Sequence, residues 1–509
     1  MQDTNFSQSR RNLMGAGGAA IAAAFGGPIA AMAAGACVPG VASTLVTSPY
    51  GPIAPTGDIS TGLPLIQLPK GFSYKSYGWR GDLMADGLVT PAAHDGMGVV
   101  RSRRVGRSLE IVLVRNHEQS TSANAADVIG GTLASVAKYD TGRIGARYPS
   151  GGTTNLVWRD GDWIESFASL GGLQAPCAGG ATGWESWLAN EEVRGNAVSS
   201  AGKHHGYIFE VPAAPGTTPV NAKPIIAMGR MAHEASAIDP QSGIWYLTED
   251  QFDANTLYRF LPTTSGGGYG SLHGGGRLQG LRVRGVANAD LRFPTLCQEY
   301  RIEWVDITEP DLDGGALAIA GVGHAIAASG PYRQAYANGA AIFGANEGCW
   351  VAAGTVYFTD KHVVSSPRRC GRIWALDIAT STLKAIFVSD DITVGNSPDN
   401  LCVSPRGGVL FNEDGSSSGT NAAGHTVQVP AQRLMGLRGD GKSYVFASNN
   451  LDLSATQLAA AGKPRAPSGN QRNTEWAGSC FSPDGSVLFV NLYAGVTLAI
   501  SGPWERGTL

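Results

Sequence analysis

Ser404-Pro405-Arg406-Gly407-Gly408-Val409-Leu410-Phe411 and Ser482-Pro483-Asp484-Gly485-Ser486-Val487-Leu488-Phe489 are one pattern written twice. Each sets a proline and a glycine in a tight reversal and follows them with apolar residues suited to a strand. Outward from this pair the same alternation runs from about residue 65 to the C-terminus. Apolar, β-branched or aromatic runs at 109–114, 154–158, 207–211, 243–247, 355–358, 372–376, 443–447 and 486–491 are separated by turn residues such as Asp160-Gly161 and Gly439-Asp440-Gly441. A helical period of 3.6 is nearly absent, with short helices expected only near 123–127 and 452–461. Strands repeated along the whole length without interleaved helices predict an all-β fold. A single sandwich is too small for 509 residues, whereas a β-propeller adds blades until its ring closes. The expectation is therefore a β-propeller with loop and short-helix insertions, one domain over residues 65–509. The stretches 266–276 and 415–429 are read as long loops on its face. The repeat is too irregular for its blades to be counted.

Composition agrees. Glycine accounts for 70 residues, about twice the usual share, which suits tight turns and penalises long helices. Charged residues are only 16% and the net charge is −3, without the basic surface that nucleic-acid binding requires. The AVILMFWYC set makes up 43%, ample for a large core.

The N-terminus reads as an export signal. Arg10 and Arg11 precede a Gly/Ala-rich apolar stretch that ends in small residues near Ala36, the layout of a cleaved signal whose paired arginines direct it to the twin-arginine route. Ala and Gly are weak membrane formers and no second span follows, so a membrane anchor is the lesser reading. Residues 1–36 are assigned to the signal and 37–64 to a linker. The expected location is periplasmic or secreted, with lipid anchoring at Cys37 ranked behind a free protein. The remaining cysteines, Cys177, Cys297, Cys349, Cys370, Cys402 and Cys480, are widely and irregularly spaced, and most are read as buried small apolar residues.

Acidic and amide residues gather where apolar strands end. Val114-Arg115 leads into Asn116-His117-Glu118, Leu188-Ala189-Asn190 into Glu191-Glu192, Leu247-Thr248 into Glu249-Asp250, Phe358-Thr359 into Asp360, and Phe411-Asn412 into Glu413-Asp414. His233-Glu234, Glu347, Asp399-Asn400 and Glu475 add to them. In a propeller, equivalent strands deliver their ends to one central region. Carboxylates gathered there repel one another unless cations sit between them. Oxygen donors in this number suit Ca²⁺, and the thiolate of Cys177 would suit iron or zinc. Side chains alternate along a strand, so one of Glu191/Glu192 and one of Glu249/Asp250 faces the centre. Asp360 and Glu413-Asp414 are read as ordinary turn residues.

Several strings, taken in order, resemble the signatures of the PhoX-type alkaline phosphatases. They are Asn116-His117-Glu118; Gly151-Gly152-Thr153-Thr154; the run from Cys177-Ala178-Gly179-Gly180 through Trp184 and Trp187 to Glu191-Glu192; Met228-Gly229-Arg230; His233-Glu234-Ala235; Tyr246-Leu247-Thr248-Glu249-Asp250; Ser397-Pro398-Asp399-Asn400; and Ser482-Pro483-Asp484-Gly485. The resemblance covers residues from about 70 to the C-terminus. It implies a propeller whose centre holds calcium and iron, as Ca²⁺ and Fe³⁺, and hydrolyses phosphate monoesters. Matching positions make Cys177 an iron ligand and Glu118, Glu234 and Glu347 carboxylate ligands. Glu191, Glu192, Glu249, Asp250, Asp399 and Glu475 follow as further metal positions, and Asn116, Arg115 and Arg230 are carried over as catalytic.

Two departures stand out. The family carries an arginine two residues before the glutamate of a Phe-centred motif. Here Phe343-Gly344-Ala345-Asn346-Glu347-Gly348 places Ala345 there. Losing a charge-assisted phosphate contact costs about 1.5–3 kcal/mol, for which Arg115 or Arg230 is the expected compensation. Glu185 also stands where a small residue is usual. The leading expectation is a metal-dependent phosphomonoesterase acting on small phosphate esters. It uses the twin-arginine machinery, binds no nucleic acid and is a monomer. The rival is a diverged calcium-binding propeller of the same ancestry with a binding role or another esterase activity, favoured by Ala345. A one-calcium lactonase-type propeller ranks third.

Overall fold

In the strand Ser108–His117 the run Ile111-Val112-Leu113-Val114 is buried on both faces. A half-exposed sheet would alternate; burial on both faces means that sheets lie against sheets on either side. The computed structural model describes residues 42–509 apart from 265, 362–369 and 422. The expected export signal and Cys37 lie outside the described residues. Strand accounts for 46% and helix for 6%, and the fold is the expected β-propeller.

Six blades form the ring among the described residues. Their innermost strands are His94–Val105, Gly180–Ala181, His233–Ile238, Asn346–Ala352, Pro398–Val403 and Trp476–Phe481, numbered here as blades 1 to 6. Each inner strand touches the next, and the sixth returns to the first. Within a blade, strands pair antiparallel outward through hairpins, as in Asn346–Ala352, Thr355–Asp360, Gly371–Asp377 and Thr382–Ser389 of blade 4. The outer strand of blade 3, Glu299–Ile307, pairs with the outer strand of blade 4, Thr382–Ser389.

The twice-written pattern is the inner hairpin of blades 5 and 6. In both, the turn closes with the same bond, Gly407 N to Ser404 O and Gly485 N to Ser482 O, each 2.8 Å. The two turns also meet, because Arg406 donates to Gly485 O at 2.8 Å.

Blade 6 is completed from the other end of the chain. Ser73–Tyr77 forms its outer strand against Val496–Ser501. The described part of the linker expected over 37–64 lies on the ring: Ile53–Thr56 pairs with Ile66–Pro69, which extends blade 5, and Tyr50 is buried among Phe72, Phe446 and Trp504. Its hydroxyl accepts from Leu509 N at 2.9 Å, tying the two ends together.

Of the expected helices, Ala455–Ala460 forms behind a capping box made by Ser454 and Gln457, and Ala125–Asp127 is a single 3₁₀ turn. A helix that periodicity did not suggest, Gly330–Ala337, starts at Ser329, whose side chain accepts from Tyr332 N, with proline in its first turn. Within the long loop 415–429, Ser418–Thr420 and Thr426–Gln428 pair as a small hairpin.

Candidate metal centre

Each inner hairpin is built to aim two side chains at the hub. Along the innermost strand the pairing slips just after its first rung, between His94 and Met97, His233 and Ser236, Asn346 and Cys349, and Pro398 and Leu401. Such a bulge bends the strand and re-aims the extra residue. The residue after the rung is Asp95, Glu234, Glu347 or Asp399. Blade 2 puts Cys177 in the same place, directly after the bridge of Pro176 to Glu191. In blade 6 the slip falls between Ala477 and Cys480, Gly478 takes the equivalent place, and Glu475 is supplied from just before the strand.

The partner strand supplies the second set. The residue opposite the first rung is His117, Glu191, Glu249, Asp360 or Glu413, and each turns away from the hub. The next residue, Glu118, Glu192, Asp250, Lys361 or Asp414, faces one cavity of about 420 Å³ together with the inner-strand residues Asp95, Cys177, Glu347 and Asp399 and with Glu475. Toward the other face the hub continues as an apolar bore past Met97, Trp187 and Trp350.

A hoop of hydrogen bonds fixes the inner set. Blades 1, 2, 4 and 6 each reach across to a main-chain carbonyl in the next blade: Asn116 Nδ2 to Cys177 O at 2.6 Å, Asn190 Nδ2 to Glu234 O at 3.2 Å, Thr359 Oγ1 to Asp399 O at 2.5 Å and Asn491 Nδ2 to Asp95 O at 2.6 Å. Thr248 does the same for Glu347.

Donor atoms converge in four groups, each within 4.8 Å: Glu118, Cys177 and Glu192; Asp95, Glu118 and Glu475; Glu234, Glu347 and Asp399; Asp399, Asp414 and Glu475. Burial first, and then the neighbouring carboxylates, push Asp95, Glu192, Glu234, Glu347 and Glu475 well above the usual carboxylate range. Burial raises Glu118 to about 7. Burial and then Asp95 also push the Cys177 thiol up. Buried oxygens of Asp95 (Oδ1), Glu234 (Oε2), Asp250 (Oδ1) and Glu347 (Oε1) have no hydrogen-bond partner. Carboxylates so crowded and so poorly satisfied are stabilised by cations between them. The donor set fits that role, with hard oxygens throughout and one soft sulfur at Cys177.

Geometry separates the expected site residues. Glu118, Cys177, Glu192, Glu234, Asp250, Glu347, Asp399 and Glu475 meet at the hub. Glu191 does not: its carboxylate binds His205 Nδ1 at 2.7 Å and Gly206 N at 2.8 Å. Glu249 is bonded by the Tyr258 hydroxyl. Asn116 is not a substrate contact, since its amide is spent on Cys177 O and on accepting from Trp187 Nε1 at 3.0 Å. Arg115 is wholly buried between blades 1 and 6, donating to Thr497 Oγ1 at 2.7 Å. Arg230 pairs with Asp311 at 2.9 Å and Asp313 at 2.6 Å, away from the cavity.

The family model for alkaline phosphatase PhoX matches residues 48–164 and 138–495. The chain belongs to the PhoX alkaline phosphatase family. No curated protein matches it. Among solved structures, PhoX from Pseudomonas fluorescens in complex with vanadate, described as a transition state analogue, aligns with a TM-score of 0.59 at 16% identity, over 92% of this chain and 99% of that one. A virginiamycin B lyase from Staphylococcus aureus (TM-score 0.33, 12% identity, 84% of this chain and 99% of that one) and a gluconolactonase from Xanthomonas campestris (TM-score 0.32, 12% identity, 81% and 97%) are remote likenesses.

Within the PhoX fold, Ala345 is fully buried, and its carbonyl accepts from Lys361 N at 2.8 Å. Among the described residues the cations lining the cavity are Arg194 and Lys361. Neither was expected at the site. Arg194 stacks on Phe252 at 4.5 Å and pairs with Asp250 and with Glu192 at 3.1 Å. Asp95, Asp414 and Tyr493 are further hub residues that sequence reasoning missed. Glu185, the other departure, is exposed and lies outside the cavity.

Proposed function

We propose that the hub cavity is a metal-dependent phosphomonoesterase centre that takes up calcium and iron and releases phosphate from small phosphate esters. The observation that carries this reading is the convergence of carboxylates from all six blades, with the Cys177 thiol of the second, in a single cavity. Glu118, Cys177 and Glu192 would hold the iron, because they alone combine the thiol with carboxylates. Glu234, Glu347 and Asp399 offer oxygen only and suit calcium, as does Glu475 with Asp95 and Glu118. When bound, these cations would supply Lewis-acid charge against the phosphoryl oxygens and an activated water. Arg194, at the rim and already aligned by Phe252, is the chain's candidate for grasping the phosphate in place of an arginine at 345.

Hydrolysis of p-nitrophenyl phosphate by protein loaded with calcium and iron, before and after chelation, tests the reading. Calcium-dependent turnover is expected, with Arg194→Gln raising KM more than it lowers kcat. Folded, metal-loaded protein without turnover would instead support the diverged calcium-binding propeller that Ala345 favours. Cys177→Ser should lower iron content about tenfold or more while calcium and the fold persist; unchanged iron would remove Cys177 from the ligand set.

The Arg10-Arg11 pair ahead of its apolar stretch supports export through the twin-arginine route to the periplasm. Replacing both arginines with lysine should leave the protein in the cytoplasmic fraction. Unaltered export would sink that assignment.

A further inference from the structure

Four of the six inner hairpins place a carboxylate one residue beyond the partner of the first rung: Glu118, Glu192, Asp250 and Asp414. Blade 4 has the same hairpin, the same slipped register after Asn346, and the same buried carboxyl at the rung, Asp360. Yet at the position that follows it presents Lys361.

The ammonium of Lys361 does not point to solvent. It sits 2.7 Å from Asp399 Oδ2, 2.5 Å from Asp414 Oδ2 and 3.6 Å from Glu347 Oε1, with only 16% of its side chain exposed. Asp399 belongs to two of the four metal-spaced groups, and Glu347 and Asp414 to one each. The two shorter separations approach the 2.3–2.6 Å at which calcium is held by oxygens. An ammonium with three donors among three carboxylates therefore fills the place of a coordinated ion. Lysine instead of Asp or Glu also reverses the charge at this position, and opposite Glu347 it leaves the formal charge that blade 4 brings to the cavity at zero.

We propose that Lys361 is a tethered cation that takes one metal ion's place between Asp399, Asp414 and Glu347, so that this chain binds one calcium fewer than its hub would hold without it. The inference rests on reading the hub as a metal centre, and it concerns the number of ions rather than the reaction. The tether has a chemical consequence. A soluble cation leaves when its concentration falls, whereas Lys361 keeps this side of the hub neutralised at any calcium level.

The test is calcium stoichiometry. Wild type, Lys361→Gln and Lys361→Arg are metal-stripped, dialysed against saturating calcium and analysed by elemental mass spectrometry, with circular dichroism to confirm folding. Lys361→Gln should hold about one more calcium per chain than wild type, and Lys361→Arg the same number as wild type. Equal counts in wild type and Lys361→Gln would overturn the proposal. Wild type that binds no calcium would defeat the metal-centre reading, whereas the difference between the variants still decides the role of Lys361. Should Lys361→Gln fail to fold, anomalous diffraction from calcium-loaded wild-type crystals decides instead. An ion bound by Asp399 and Asp414 together, with Lys361 displaced, would overturn the proposal, and an ammonium still seated between them would uphold it.

Discussion

Glu191 and Glu192 are adjacent in sequence and do opposite work. Glu191 faces the interior of the blade, where with Asp140 it clamps His205, both carboxylates lying within 3.0 Å of the imidazole. Glu192 faces the hub. Glu191→Ala should therefore cost about 3–5 kcal/mol, the usual penalty for breaking a buried ion pair, without altering calcium count in protein that remains folded. Glu192→Ala should change metal content at small cost in stability. Urea unfolding and elemental analysis of both variants would check this, and a reversal of the two phenotypes would refute the orientation. His205 carries a pH signature as well. Burial alone would depress its pKa, but Glu191 and then Asp140 more than reverse that, raising it from 6.5 to about 9. A group raised in the folded state contributes fully below its unfolded pKa and loses that contribution as pH rises through the folded one. Wild type should thus lose about 3 kcal/mol between pH 6.5 and 9, and His205→Gln should lack this slope. Parallel melting curves for the two proteins over that range would count against it.

At the scale of the hairpin, the ligand position depends on the small residue that follows it. A Cβ on Gly96 would lie 1.7 Å from Ala178 O, and one on Gly348 would lie 2.8 Å from Asn400 Cα; neighbouring inner strands approach too closely for any side chain. Gly96→Val should destabilise the protein by more than about 3 kcal/mol and lower metal content, although every metal ligand is retained. Normal metal content in that variant would show that bulge geometry does not set the site. The strands themselves were legible in sequence, because apolar runs and Asp-Gly or Pro-x-Gly turns carry a local signature. The bulges were not. A slipped register is decided by the neighbouring blade, so Asp95, inside His94-Asp95-Gly96, looks like a loop residue. Asp414 reads as a turn for the same reason, and Asn116 as a ligand because its use as a cross-blade clamp requires the ring. Strand alternation did limit Glu191/Glu192 and Glu249/Asp250 to one member each; the register then selects Glu192 and Asp250.

For the molecule as a whole, the hub stores electrostatic tension that cations would release. Burial raises the hub carboxyls, Glu118 to about 7, so the metal-free folded state holds protons more tightly than the unfolded chain. Its stability should fall as pH rises from about 4.5 through 7. Chelated protein is expected to melt higher at pH 5.5 than at pH 8, and added calcium to raise the pH 8 value most, because binding competes with protons. A metal-free protein more stable at pH 8 would contradict the crowded hub. Propeller architecture was readable from the repeated hairpin, but blade number was not. Blade 3 includes a fifth strand, blade 5 borrows two strands from the N-terminus, and such additions blur any fixed period.

The closing strand has a consequence in time. Ser73–Tyr77 leaves the ribosome early and waits for its partner, Val496–Ser501, until all the intervening blades have been made; Tyr50 waits longer still, for Leu509. Until then the nascent chain is an open arc. Asp95 and Glu475, at its two ends, are far apart, and the group they form with Glu118 does not exist. Ion capture there can only follow synthesis of the closing strand, so a chain stopped before Val496 should be unclasped and lack this ion-binding group.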